Sequence, residues 1–168
     1  NYEVDLTNLQ LVDQLFDEID EIEGIINFAA YKSVPESVKF PTLYYTNNIF
    51  SLCNVFSNCI RRKIKKIVYS SSCSIYGDIK KLPVCEETEL SESKSPYAST
   101  KIMGERMLRD ACISHDIRAL ALRYFNPVGA HSSGKIGETP FRNLIIWCQS
   151  LLRLQLENVS ALKCMVVI

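Results

Sequence analysis

Tyr97 and Lys101 lie four positions apart in the stretch Ser95-Pro-Tyr-Ala-Ser-Thr-Lys101. Ser95 is a good helix N-cap, and Pro96 suits the first helical position, where its missing N–H costs nothing. A helix starting there puts the phenol and the ammonium on one face, one turn apart. A free tyrosine, with a pKa of about 10, is a poor base near neutrality. A cation at hydrogen-bonding range and the positive end of the helix dipole both favour its phenolate. Such a group could take a proton from an alcohol while a hydride leaves the same carbon. The spacing alone is cheap, because it recurs at Tyr76 and Lys80 in a Gly-Asp turn with no helix signal. The elements around it must decide.

Asp5-Leu-Thr-Asn8 opens a helix with Thr7 as the expected cap, and Leu9, Val12, Leu15, Phe16 and Ile19 recur at helical spacing. Gly24 to Ala30 is a short apolar run of the kind found in buried parallel strands. It ends in the small residues Ala29 and Ala30, where a ligand could approach the backbone. Residues 31–41, with two prolines, read as loop, and a second helix runs from about Thr42 to Arg61. The basic run Arg61 to Lys66 sits at that helix's C-terminus, where cations complement the dipole. Ile67-Val-Tyr-Ser-Ser-Ser72 is a strand running into hydroxyls, and residues 73–95 form a polar segment long enough to be a functional loop. The Tyr97 helix continues to about His115. Residues 117–127 form another strand, 128–140 a Gly/Ser-rich loop and 141–156 a last helix. The tail 159–168 is apolar without pattern.

Strands alternating with helices predict an α/β fold, a doubly wound parallel sheet with helices on both faces. Ligands of such sheets lie off the carboxyl ends of the strands. Three of those ends, Phe28–Ala30, Ser70–Ser72 and Arg123–Asn126, should share one cleft with the start of the Tyr97 helix. The 168 residues suffice for a core, and 19 basic against 19 acidic residues argue against a dedicated nucleic-acid or membrane-surface binder. No apolar run has the length of a transmembrane helix. Seven cysteines without a Cys-x-x-Cys pair, and His115 and His131 apart from any cysteine cluster, point away from a metal site. They suggest reduced thiols in a cytoplasmic protein.

The Tyr-x-x-x-Lys pair and the Ser70–Ser72 strand end together resemble the extended short-chain dehydrogenase/reductase family. Within it, Asn27 to Val38, Ser70 to Gly77 and Leu122 to Glu138 are similar to the UDP-glucose 4-epimerases. The resemblance covers roughly residues 2–138 and implies an NAD-dependent interconversion of UDP-glucose and UDP-galactose through a 4-keto sugar. By that match Tyr97 is the acid/base, Lys101 lowers its pKa and holds the nicotinamide ribose, and Ser72 hydrogen-bonds the sugar O4. Asp5 and Leu6 match the segment beside adenine, and Phe28, Ala29, Ala30 and Lys32 the pyrophosphate path. Asn47 matches a residue near the cofactor, Tyr124 and Phe125 the nicotinamide wall, and Asn126 a contact to the substrate's phosphates. The helices at 42–61 and 97–114 match those of the family's dimer interface, which implies a homodimer. Read without the family, the same residues have plain alternatives: Ser72 as a strand end, Phe28 and Phe125 as core, Lys32 as an exposed loop lysine and Asn47 as a backbone cap.

Two departures from the family shape the expectations. The six glycines, at 24, 77, 104, 129, 134 and 137, form no Gly-x-x-Gly-x-x-Gly. In the family that loop and the first strand precede the position matching Asp5, and together they cradle a pyrophosphate. After Glu138 the match decays. The expectation is therefore an incomplete Rossmann-like NAD-binding domain over 1–140 and a divergent helix and tail over 141–168. Such a piece of a longer protein should bind NAD weakly and turn over no sugar alone, with a sheet edge or apolar face left uncovered. Other sugar-nucleotide epimerases, or a non-catalytic binding protein of the same fold, are the competing readings. A 4,6-dehydratase is disfavoured, because Cys73 and Ser74 stand where those enzymes carry an Asp-Glu pair.

Overall fold

The computed structural model describes residues 1–79 and 82–125, Ser133 and the strand Cys164–Val167. The elements run α1 (Leu9–Glu18), β1 (Gly24–Asn27), α2 (Val34–Lys39), α3 (Pro41–Arg61), β2 (Lys66–Ser72), α4 (Pro96–His115), β3 (Arg118–Tyr124) and β4 (Cys164–Val167). A 3-10 turn at Cys73–Tyr76 follows β2. The strands pair in parallel in the order β3-β2-β1-β4. Register puts Ser72 beside Tyr124, and Asn27 beside Tyr69.

The period-2 alternation of a strand divides the sheet into two unlike faces. Ile25, Ile67 and Tyr69 join Val12 and Phe16 of α1, Leu52, Val55 and Cys59 of α3, and Leu108 and Ala111 of α4 in one core. The three long helices thus gather on that face. The other carries Ile26, Val68 and Leu122, half-buried, and Leu120, 56% exposed. α1 and α3 run side by side in the same direction, because Leu6, Asp13 and Asp17 pair in order with Asn54, Asn58 and Arg61. The basic run closes this packing. Arg62 donates to the carbonyls of Phe16 (2.6 Å) and Ile19 (2.8 Å), which satisfies acceptors that the end of α1 leaves open.

Local chemistry accounts for the helix starts. Ser95 Oγ accepts the Ala98 N–H at 3.2 Å, and Pro96 follows, as the cap signal predicts. At α1 the cap is Asn8, whose side chain accepts from Leu11 N–H, and not the expected Thr7. Thr7 instead gives both its N–H (2.9 Å) and its hydroxyl (2.7 Å) to Asp5. The segment expected as loop between β1 and α3 contains α2, capped by Ser33 with Pro35 in its first turn. Proline there starts a helix instead of breaking one. The tail read as patternless supplies β4, which pairs along β1 from Gly24 to Asn27. β4 thus occupies that edge of β1, while Leu120 on the other face of the sheet stays exposed. Asn126, the expected helix over 141–156, and the 128–140 loop apart from Ser133 lie outside the described residues.

At Gly104 α4 packs directly against a sheet side chain, so that an added methyl group would overlap the Tyr69 hydroxyl and meet its ring. Tyr69 is itself buried. Gly104→Ala should therefore lower stability by about 1–3 kcal/mol, although alanine is the better helix former. Urea unfolding of the two proteins measures it.

Candidate active site

α4 presents Tyr97, Lys101 and Glu105 on successive turns of the face that meets the end of β2. Lys101 is 4% exposed, and its ammonium donates to the Ser70 carbonyl at 2.7 Å. The same nitrogen lies 5.1 Å from the Tyr69 ring centroid and 5.8 Å from that of Tyr97. Glu105 accepts the Ser71 hydroxyl at 2.6 Å. Three turns of one helix thus grip three consecutive serines.

Ser72 ends β2. Its Oγ accepts from the Ser74 N–H (3.2 Å) and the Ser74 hydroxyl (2.9 Å), so its own proton is left to donate. Ser72 lies close enough to the Tyr97 phenol to pull its pKa down. Burial is the larger influence and pushes that pKa up, with Cys73 adding to the rise and Lys32 opposing it. The net direction is upward, opposite to the sequence expectation for the Tyr97–Lys101 pair. The reason is geometric. The Lys101 ammonium is directed at the Ser70 carbonyl, and its own burial lowers its pKa to about 8.

The rim around this pair collects most of the other sequence-predicted positions. The rings of Phe28 and Tyr124 meet at 6.3 Å between centroids, joining the ends of β1 and β3 across β2. Phe125 stacks on Tyr76 at 6.5 Å. Phe28 and Phe125 are 44% and 49% exposed, which disfavours the plain core alternative for both. Ala29 and Ala30 are half-buried, and Ala29 N–H is fixed by the Asn27 side chain at 3.1 Å. Lys32 acts on Tyr97 through its charge. Asn47, half-buried, donates to Asn48 at 3.1 Å. Asp5 and Leu6 stand at the entry to α1, where Asn54 holds the Leu6 carbonyl at 2.8 Å and Thr7 keeps the exposed Asp5 carboxyl below its ordinary pKa. Among the described residues, the site therefore brings together Ser72, Tyr97, Lys101 and Lys32, with the Phe28–Tyr124 pair at the strand ends. Of the second Tyr-x-x-x-Lys copy, Tyr76 serves a structural purpose: its hydroxyl donates to Cys85 O at 3.1 Å and receives Arg123 at 3.0 Å.

Sequence reading missed Asn48, which orders the rim. It is buried. Its Oδ1 accepts the Tyr31 N–H (2.8 Å), and its Nδ2 donates to the Tyr31 carbonyl (3.1 Å) and to Thr100 Oγ1 (3.2 Å). The loop that carries Lys32 is thereby tied to α3 and α4 at once. An asparagine following Asn47 in a helical pattern gives no signal of this.

A parallel sheet with a buried Tyr-x-x-x-Lys helix against a serine strand end is the arrangement that the resemblance to the extended short-chain dehydrogenase/reductase family implies. Residues 1–147 match the model of the NAD dependent epimerase/dehydratase family, and the chain belongs to that family. It is 44% identical over 141 residues to a UDP-glucose 4-epimerase of Neisseria gonorrhoeae, covering 83% of this chain and 41% of that protein. It is 45% identical over 143 residues to the Bacillus subtilis UDP-glucose 4-epimerase, again over 83% and 41%. The crystal structure of UDP-glucose 4-epimerase from Bifidobacterium longum in complex with NAD+ and UDP superposes with a TM-score of 0.79 at 39% identity, over 84% of this chain and 42% of that one. The Brucella ovis enzyme in complex with NAD gives 0.76 at 33% identity, over 82% and 42%. The chain spans about two fifths of the length of these relatives.

Two measurements check this site. Asn48→Ala removes the side-chain partner of the Tyr31 N–H and carbonyl and the donor to Thr100 Oγ1, and should cost about 2 kcal/mol. Denaturant unfolding reads it. Lys101 has a folded-state pKa depressed to about 8, below the 10.5 of an ordinary lysine. The unfolded chain therefore binds more protons than the folded one between those values, and stability rises with pH there. Tyr97, raised in the fold, reverses the trend once the unfolded phenol begins to ionise near pH 10. The thiols of Cys53, Cys59 and Cys73, raised by burial, pull the other way above about pH 8. Chemical denaturation from pH 7.5 to 9.5 should therefore show stability changing more positively with pH in this chain than in Lys101→Met.

Proposed function

We propose that this chain carries the proton-transfer site and the nicotinamide wall of a UDP-glucose 4-epimerase, the enzyme that interconverts UDP-glucose and UDP-galactose. The single observation that carries the proposal is the convergence of Ser72 and Tyr97 beside buried Lys101, whose ammonium is held on the Ser70 carbonyl at the end of β2. Tyr97 is the acid/base at the sugar's C4 oxygen, and Ser72, which holds a free donor, hydrogen-bonds that oxygen and passes its proton. Asn126 is assigned to the substrate's phosphates by the resemblance.

NAD is the cofactor of this proposal. The chemistry of the residues fits its nicotinamide end, with exposed aromatic faces at Phe28 and Phe125 and cations at Lys32 and Lys101. Phe28, Ala29, Ala30, Lys32, Asn47, Tyr124 and Phe125 would hold it there, with Asp5 and Leu6 toward adenine. When bound, NAD would supply a hydride-accepting ring; within the chain itself, Ser72 and Lys32 oppose the burial that raises Tyr97. The chain's own residues handle the proton: Tyr97 takes it from the C4 hydroxyl as the carbonyl forms, stores it as phenol, and returns it when the carbonyl is reduced.

Residues 1–140 are taken as part of an NAD-binding domain, and a homodimer through α3 and α4 is part of the proposal. Leu43 and Phe50 share one face of α3 at a spacing of seven residues, and both are exposed, as is Met103 of α4. A cytoplasmic setting is supported by free thiols at Cys53, Cys59, Cys73, Cys85 and Cys112. Among the described residues, no helix is long and apolar enough to cross a membrane.

A chimera tests the chemistry. Residues 1–141 of this chain, replacing the matching segment of the Neisseria gonorrhoeae enzyme, should give a protein that epimerises UDP-galactose. Tyr97→Phe in the chimera should lower kcat by about 10²–10⁴-fold. A folded chimera that binds NAD but turns over no UDP-galactose would overturn the proposal. For the dimer, which the resemblance implies for the complete protein, sedimentation of the chimera should show a two-chain species that Phe50→Glu converts to monomer.

A further inference from the structure

Beside the residues assigned to chemistry lies an ion pair that the proton-transfer scheme does not use. Glu105 and Arg123 are 15% and 20% exposed, and Arg123 meets the carboxylate side-on through Nε (3.0 Å) and Nη2 (2.8 Å). Each partner also reaches elsewhere. Glu105 Oε1 accepts the Ser71 hydroxyl at 2.6 Å, immediately before Ser72. Arg123 Nη1 donates to the Tyr76 hydroxyl and to the Glu86 carbonyl, both at 3.0 Å, and the guanidinium lies over the Tyr76 ring at 5.1 Å. Tyr76 in turn is tied to the loop after it, through Cys85 O and through Ser91, whose hydroxyl donates to the Tyr76 carbonyl at 2.8 Å. One pair therefore joins α4, the end of β2, the end of β3 and the segment from Tyr76 to Ser91. A surface ion pair would not do this, because solvent would loosen it. A part-buried fork with further hydrogen bonds on both partners keeps its geometry.

We propose that Glu105–Arg123 is a positioning pair: it clamps the end of β2 onto α4 and so holds Ser72 over Tyr97 and the Ser70 carbonyl over Lys101. The function of the clamp rests on the Ser72–Tyr97 scheme proposed above, but the clamp itself can be tested without any turnover. Tyr97, Lys101 and Glu105 occupy one helical stripe. Two of the three contacts to β2 belong to the reacting groups, and Glu105 supplies the third.

The test uses the 168-residue chain. Lys101 titrates near pH 8 because it is sealed under β2, so its titration reports whether the strand end stays down. Lysine labelled with ¹³C at Cε is followed by NMR from pH 6.5 to 9.5, with Lys101→Met identifying the signal. Glu105→Gln, which breaks the ion pair, should move the Lys101 midpoint upward as water reaches the ammonium. Ser71→Ala removes only the hydroxyl held by Glu105 and should move it in the same direction by less. Glu105→Asp, which keeps the charge, should restore most of the original midpoint. A role in general stability alone predicts a lower melting temperature in all three with the midpoint unmoved, and that result in folded Glu105→Gln and Ser71→Ala would overturn the proposal. Should Glu105→Gln fail to fold, Ser71→Ala decides by itself. An inactive chimera together with a moved midpoint would separate the two cases, removing the epimerase reading and keeping the clamp.

Discussion

A lysine ammonium taken almost wholly out of water is the condition around which the rest of this molecule is arranged. Burying such a group is unfavourable unless it is given partners, and this one has a carbonyl and two aromatic faces. The carbonyl comes from Ser70, so β2 must end over the first turns of α4. The faces come from Tyr69 and Tyr97, so the strand and the helix must lie close enough for Gly104 to be needed at their contact. Once those distances are set, Ser72 has little choice of position, and its two contacts from Ser74 leave its own proton free to donate. Core packing and site geometry are here the same set of contacts.

The phenol shows how a short motif can mislead about electrostatics while being right about place. Tyr97 and Lys101 are neighbours on one helix face, as their spacing requires. Proximity in sequence does not say where an ammonium points. In the fold it points along the strand end, and the shift of Tyr97 is governed by burial, with Ser72 and Lys32 pulling the other way. Lys32 comes from a loop tied down by Asn48, so the cation that eases the phenol's ionisation is delivered from a distant part of the chain.

What was legible in the residues was local. The Ser95-Pro96 cap, the apolar run of β1 and the serine end of β2 each carry their cause within a few positions, and each folded as read. Thr7 was misread because Asp5, two residues away, competes for its donors and leaves capping to Asn8. α2 was hidden because Pro35 was taken for a breaker when a preceding serine makes it a starter. Asn48 with Thr100 and Glu105 with Arg123 had no signature, since nothing within one element announces a partner on another. β4 was unreadable for a related reason: four residues without alternation become a strand only when β1 offers an edge to pair with.

The even spacing of Tyr97, Lys101 and Glu105 has a consequence for how such a chain can change over generations. Each residue added to an α-helix turns everything beyond it by about 100°. One codon inserted between Lys101 and Glu105 would carry the carboxylate to another side of α4, away from Ser71 and Arg123. The segment 82–94 is under no such rule, because its ties to Tyr76 and Arg123 run through Cys85, Glu86 and Ser91 and not through a helical repeat. Length variation among descendants should thus be found in that loop and be purged from the first three turns of the helix.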